Sequence, residues 1–232
     1  MSLNSPGEWN DESLRRMTRE WYGYGWWEAP FWYIGPEPGI PEKEDTLRRR
    51  CASWLECGGG ELVDCKRHHL GFGSFDWHRE HPRTQPTWRQ LIRLLLAARD
   101  GRAPDIEDIR RYQQRFWGMR TSKEREETCV IELCSLASPK LKAKKNVPFD
   151  PNCFLGERIG VIRRRIDVYK PKVVLLYGLS HTRHFQEIAG CALAPGDPVR
   201  MGSTCFVHTP APTSHGLRNS YWPQLAQKLC KP

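Results

Sequence analysis

Lys172-Val173-Val174-Leu175-Leu176-Tyr177 is an apolar run with no polar alternation. A strand of that kind needs cover on both faces, so it demands a sheet with a layer on each side. Three further runs of strand length lie at 31–35, 128–133 and 203–208. Segments of helical period fall between them. Residues 44–56 put Leu47, Cys51, Trp54 and Leu55 on one face. A second helix, capped by Thr87 and closed by Gly101, carries Trp88, Leu91, Ile92, Leu95 and Leu96. Asp105 opens a third, and 156–169 aligns Ile159, Ile162 and Ile166 before Pro171 stops it. Ser180 caps the next, and a last one begins near Ser220. Strands alternating with amphipathic helices predict one three-layer α/β/α sandwich around a central, mainly parallel four-stranded sheet. Residues 30–232 form that domain, residues 1–29 an aromatic and basic extension packed on it, and 61–81 reads as irregular.

Among the 232 residues no apolar run approaches the roughly 20 needed to span a bilayer. Met1-Ser2-Leu3-Asn4-Ser5-Pro6 has no basic segment followed by an apolar one, so no signal peptide is expected. Nine scattered cysteines in a chain of this length fit a reducing cytoplasm better than a disulfide framework. Cys51, Cys57, Cys65 and His68 or His69 match no CxxC-based zinc spacing, so no metal and no cofactor is expected. The formal charge of +9 points to a polyanion, and the basic clusters with ten tryptophans to nucleic acid rather than a membrane; a monomer is expected.

Three loops that follow strands are rich in proline and small residues: Gly35-Pro36-Glu37-Pro38-Gly39, Glu132 through Ser138 and Pro139, and Thr209 through Gly216. Parallel strands bring such loops to one edge of the sheet, where stiff backbone can grip a phosphate chain and hold an extruded base.

In these motifs the chain resembles the uracil-DNA glycosylase superfamily. Its first motif, Gly-x-(Asp, Asn or Ala)-Pro-(Tyr or Gly), is similar to Gly35-Pro36-Glu37-Pro38-Gly39. Its late motif, (His or Asn)-Pro-Ser-x-x-Ser, is partly matched by Thr209-Pro210-Ala211-Pro212-Thr213-Ser214. Glu132 falls where the family ends a middle strand in a base-reading Asn, and Thr84-Gln85-Pro86-Thr87-Trp88 resembles its proline-led helix start. The ordered set spans about residues 30–225. The resemblance implies a uracil-DNA-glycosylase-like fold and a monofunctional glycosylase that flips a base and leaves an abasic site.

The departures carry the substrate expectation. Glu37 stands where some members hold a water-activating Asp, so its carboxylate would stabilise the oxocarbenium-like sugar and align water. Gly39 replaces a Tyr that crowds the 5-position of uracil, so a 5-substituted pyrimidine could enter unless a neighbouring aromatic refills the space. An ionised Glu132 offers only acceptors, which suits the exocyclic amine of cytosine; the alternative is that an arginine takes it. Gly35, Pro36 and Phe75 complete the base-binding set. His215 is the expected electrophile for the leaving base, with His208 second because strand alternation points it to the opposite face. Pro38, Ser138, Thr209, Pro210, Pro212, Thr213 and Ser214 are assigned to the DNA backbone, and Leu217 or Arg218 to the wedge. The favoured substrate is a 5-substituted cytosine, glucosylated cytosine included, in phage DNA, as an antiphage defence. The alternatives are repair of uracil, mismatched thymine or hypoxanthine, and DNA or nucleotide binding without chemistry.

Overall fold

The computed structural model describes residues 11–36, 38, 44–120, 127–136 and 149–229. In chain order the elements are α1 (Asp11–Glu20), β1 (Gly23–Gly25), β2 (Phe31–Gly35), α2 (Glu44–Glu56), β3 (Leu62–Val63), α3 (Cys65–Gly71), α4 (Pro86–Asp100) and α5 (Ile106–Arg115). There follow β4 (Thr128–Glu132), α6 (Leu155–Tyr169), β5 (Val173–Tyr177), α7 (Thr182–Ala189), β6 (Val199–Met201), β7 (Thr204–Thr209) and α8 (Tyr221–Leu229). The chain is α/β, with a mixed seven-stranded sheet in the order β3-β1-β4-β2-β5-β7-β6. That corrects the expected four strands. The four apolar runs, β4, β2, β5 and β7, are parallel neighbours. To their outside, β1 runs antiparallel to β4 and β6 antiparallel to β7. The added strands have only three, two and three residues, too few for a period-2 pattern to announce them.

The segment expected as an extension thus supplies a strand. A Cβ on Gly23 or Gly25 would lie 2.0 Å from the carbonyl oxygen of Val130 or Thr128, and both residues have positive φ. Only glycine lets β1 approach β4 in this way.

Side-chain alternation divides the central strands between two cores. Tyr33, Val130, Leu175 and Val207 pack with Trp21, Trp54, Leu91, Leu95 and Trp222, beneath α1, α2, α4 and α8. Ile34, Ile131, Leu176 and Phe206 pack with Ile159, Ile162, Phe185 and Ile188, from α6 and α7. Helices cover both faces, as unbroken apolar strands require. Each large buried side chain contributes ~1.5–3 kcal/mol, so these cores outweigh surface pairs such as Arg16–Glu20, worth ~1 kcal/mol or less.

Helix starts differ in detail from expectation. Gln85, not Thr87, caps α4: its Oε1 accepts from the Trp88 N–H at 2.7 Å, and Pro86 fills the first turn, where a missing N–H costs nothing. Asp105 caps α5 as expected, accepting from the Asp108 N–H at 2.7 Å. Ser180 lies in a 3-10 turn, Leu179–His181, and α7 begins at Thr182 with no side-chain cap bond. The stretch expected to be irregular holds β3 and α3, the latter capped by Asp64, which accepts from the Arg67 N–H at 2.8 Å. Among the described residues no helix is long and apolar enough to cross a membrane.

Candidate functional site

Register lines up four residues where the parallel strands end. Gly35 is opposite Glu132, Tyr177 is opposite Thr209, and β2 lies beside β5. Glu132, Gly35, Tyr177 and Thr209 therefore form one row across the sheet, on the face of the larger core. The carboxyl edge of parallel strands is where open α/β sheets hold ligands.

Gly35 leaves a gap in that row, and the Tyr177 ring lies across it; a Cβ on Gly35 would sit 2.2 Å from the Tyr177 Oη. Over the row is a cavity of about 170 Å³. Glu132 and Tyr177 line it together with Tyr24 from β1, Arg50 from α2 and His69 from α3. Phe72, Trp77 and Trp88 add aromatic walls, and Pro38, Gln85 and Thr87 complete the rim. A second cleft, of about 310 Å³, lies at the amino ends of the strands beside Arg163, Asp167 and Lys170, away from the row.

Buried arginines organise the acidic end. Arg158, 1% exposed, donates from Nε to the Leu133 carbonyl at 2.8 Å and from Nη2 to the Glu132 carbonyl at 2.7 Å. Its Nη1 donates to the carbonyls of Thr18 and Arg19, both at 3.1 Å, so one fork ties the exit of β4 to the carboxyl end of α1. Arg50, also 1% exposed, lies 5.2 Å above the Trp21 ring and donates to the Ser135 carbonyl at 3.4 Å. Burial lowers the Arg50 pKa, and the nearby Tyr24 and Glu132 oppose that shift. Burial, with the Glu132 charge beside it, holds the Tyr177 hydroxyl protonated well above its usual range. The cavity thus joins a carboxylate, a guanidinium and a phenolic donor to aromatic walls.

Behind it, side chains form a hydrogen-bonded chain: His78 Nε2 to His69 Nδ1 at 3.1 Å, His69 Nε2 to Tyr24 Oη at 3.1 Å, Tyr24 Oη to His68 Nδ1 at 3.2 Å, and His68 Nε2 to the Arg50 carbonyl at 3.1 Å. A carbonyl only accepts, so His68 carries its proton on Nε2 and its Nδ1 accepts from Tyr24. Tyr24 in turn accepts from His69 Nε2–H, and His69 Nδ1 accepts from His78 Nε2–H. Burial pushes His68 down to about 3 and His78 to about 4, and holds His69 well below its usual value, so all three are neutral.

The expected site residues are distributed as follows. Glu37, Gly39 and Ser138 lie outside the described residues. Glu132, 7% exposed, and Pro38 line the cavity, and Gly35 lies beneath Tyr177 in the row. Pro36 is half-buried, its carbonyl accepting from the Cys134 N–H at 2.8 Å, which holds the exits of β2 and β4 together. Phe75 is 59% exposed and outside the cavity, whose walls come from Phe72 and Trp77 instead. His208 packs edge-on against Phe185 in the core under α6 and α7, on the opposite face from Glu132. Thr209, expected at the DNA backbone, is fully buried at the end of the row. In the loop after it Thr213, His215 and Arg218 are exposed, Pro210 and Ser214 half-buried, and Pro212 buried. Leu217 packs against the core, and Asn219 anchors the loop by accepting from Gln90 and Arg93, both at 2.9 Å.

Sequence reasoning missed Tyr24, Arg50, Phe72, Trp77, Trp88 and Tyr177 as cavity residues. For Arg50 a signal existed: it is on the helical face of Leu47 and Trp54, unlike its exposed neighbours Arg48 and Arg49. Compared with known protein families and with curated proteins, the chain matches none.

Proposed function

We propose that this chain is a monofunctional DNA glycosylase that flips a modified base out of DNA, hydrolyses its N-glycosidic bond and leaves an abasic site. The favoured base is a 5-substituted cytosine of phage DNA, and the favoured setting is antiphage defence in a reducing cytoplasm. One observation carries this reading: a buried carboxylate, Glu132, faces an aromatic cavity at the carboxyl ends of the parallel strands. At about 170 Å³ the cavity is smaller than the ~300–1,000 Å³ pockets of drug-sized ligands, so it suits one flipped ring. Ionised Glu132 accepts from the cytosine amine, Trp88 and Phe72 supply aromatic surface, and a large 5-substituent extends past the rim. Glu37, which follows Pro36 in the sequence, stabilises the cationic sugar and aligns water, and His215 serves the leaving base. The formal charge of +9 supplies the general attraction to DNA.

The test is incubation with DNA containing uracil, hypoxanthine, 5-methylcytosine, 5-hydroxymethylcytosine or glucosylated cytosine, followed by an assay for abasic sites. Cleavage of the bulky cytosines is expected; failure on every base by a folded, DNA-binding protein rejects the proposal. A second reading, DNA binding without chemistry, is favoured by Thr209, which stands where the resembled family carries His or Asn. Glu37→Gln separates the two: an enzyme loses turnover and keeps its DNA affinity.

A further inference from the structure

Cys65, His69 and His78 bring one ligand atom each to within 4.8 Å of one another, and all three side chains are buried. Cys65 and His69 are one helical turn apart on α3, the i, i+4 spacing that sets two ligands on one face. His78 comes from the stretch between α3 and α4, where no helix or strand forms. The two imidazoles meet nitrogen to nitrogen at 3.1 Å. Zinc bond lengths in a tetrahedron put two ligand nitrogens about 3.3 Å apart and sulfur about 3.5 Å from nitrogen, so the nitrogens are already near place and the sulfur has a short distance to close.

Two independent features point to a ligand. His69 donates its Nε2–H to Tyr24, which leaves Nδ1 with its lone pair directed at His78. That is the outer hydrogen bond by which proteins orient metal-bound histidines. His78, 5% exposed, has a buried Nδ1 with no hydrogen-bond partner among the described residues. The ring can therefore move its proton from Nε2 to Nδ1 and turn Nε2 to a metal without breaking any bond at Nδ1.

We propose that Cys65, His69 and His78 bind one zinc ion, which staples the irregular stretch carrying Phe72 and Trp77 to α3. A thiolate with two imidazoles is a zinc set rather than a magnesium or calcium set, which would use oxygen ligands. On binding, the Cys65 S–H bond gives up its proton to solvent, His78 changes tautomer, His69 keeps its own and a water molecule takes the fourth tetrahedral position, so one proton leaves per ion. His69 lines the cavity whereas Cys65 and His78 do not, so the ion would hold that wall through His69. The inference does not depend on the glycosylase reading.

The experiment measures zinc in the full chain purified without chelator, then titrates chelator-treated protein with cobalt(II). The expected results are about one zinc per chain, visible bands of tetrahedral cobalt with a sulfur charge-transfer band in the near ultraviolet, and release of one proton. His78→Asn and Cys65→Ser are expected to weaken zinc affinity on the order of 100-fold or more, and Cys65→Ser to remove the sulfur band. Absence of zinc together with no cobalt spectrum in the wild-type chain overturns the proposal, without any variant having to fold. Unchanged zinc affinity in His78→Asn would assign the metal to other residues and overturn it equally.

Discussion

The hydroxyl end of Tyr177 fills the space a side chain at residue 35 would need: a Cβ on Gly35 would lie 2.2 Å from Oη and 2.3 Å from Cζ. Glycine inside a strand is otherwise unfavourable by roughly 0.5–1 kcal/mol. Here it lets an aromatic ring on β5 cross the end of β2 toward Glu132 on β4.

Gly35→Ala therefore forces Tyr177 to move and is expected to cost about 1–3 kcal/mol in urea denaturation. In a Tyr177→Ala background the same change should cost far less, because the clashing ring is gone. Equal costs in both backgrounds would mean that the two residues do not share the space.

Arg158 satisfies four main-chain carbonyls from one buried guanidinium. Arg158→Met keeps much of the volume and abandons all four, so a loss of about 3–5 kcal/mol is expected. Arg158→Lys should recover only part of it, since an ammonium cannot reproduce the planar fork. Chemical denaturation of the three proteins checks the order; a Met variant as stable as wild type would refute it.

Glu132→Asn exchanges a pure acceptor for a group that both donates and accepts. Under the proposed function kcat/KM on modified cytosine should fall by about 100-fold or more, while any activity on uracil should hold or rise. Side-by-side kinetics on the two bases decide it, and an equal fall on both would remove Glu132 from base selection.

His208 gives a pH dependence of known sign. Burial lowers its pKa below the usual value near 6.5. The folded protein therefore binds fewer protons there than the unfolded chain. Its stabilising contribution is complete above that value and is lost as pH falls toward the folded pKa. Because its Nε2 lies 3.5 Å from the Gly178 carbonyl, little is lost when it is replaced. Melting between pH 7.5 and 5.5 should fall less steeply for His208→Leu than for wild type; parallel curves would contradict this.

The four central strands could be read from the sequence because each is apolar through its own length, as Val173 to Tyr177 shows. β1, β3 and β6 are strands only because β4 and β7 offer them partners, a fact no local pattern records. The site divides the same way. Glu132 stands out because it falls at the place of a base-reading Asn in the resembled family, whereas Tyr24, His69 and Trp88 meet it only through the path of the chain. Arg50 shows a third case: it hides in the basic run Arg48-Arg49-Arg50, and its burial follows from helical phase rather than from composition.

β1 and β4 are neighbours in the sheet but lie on either side of α2 through α5 in the chain. During synthesis Tyr24, Arg50, His69 and Trp88 leave the ribosome well before Glu132 and Tyr177, so the basic and aromatic side of the cavity waits for its acidic floor. Until β4 arrives, β1 has only the two-residue β3 to pair with, and contacts this distant in sequence form slowly. The cavity is thus a late product of folding, and a chain cut between α5 and β4 would carry most of its walls without Glu132 or Tyr177.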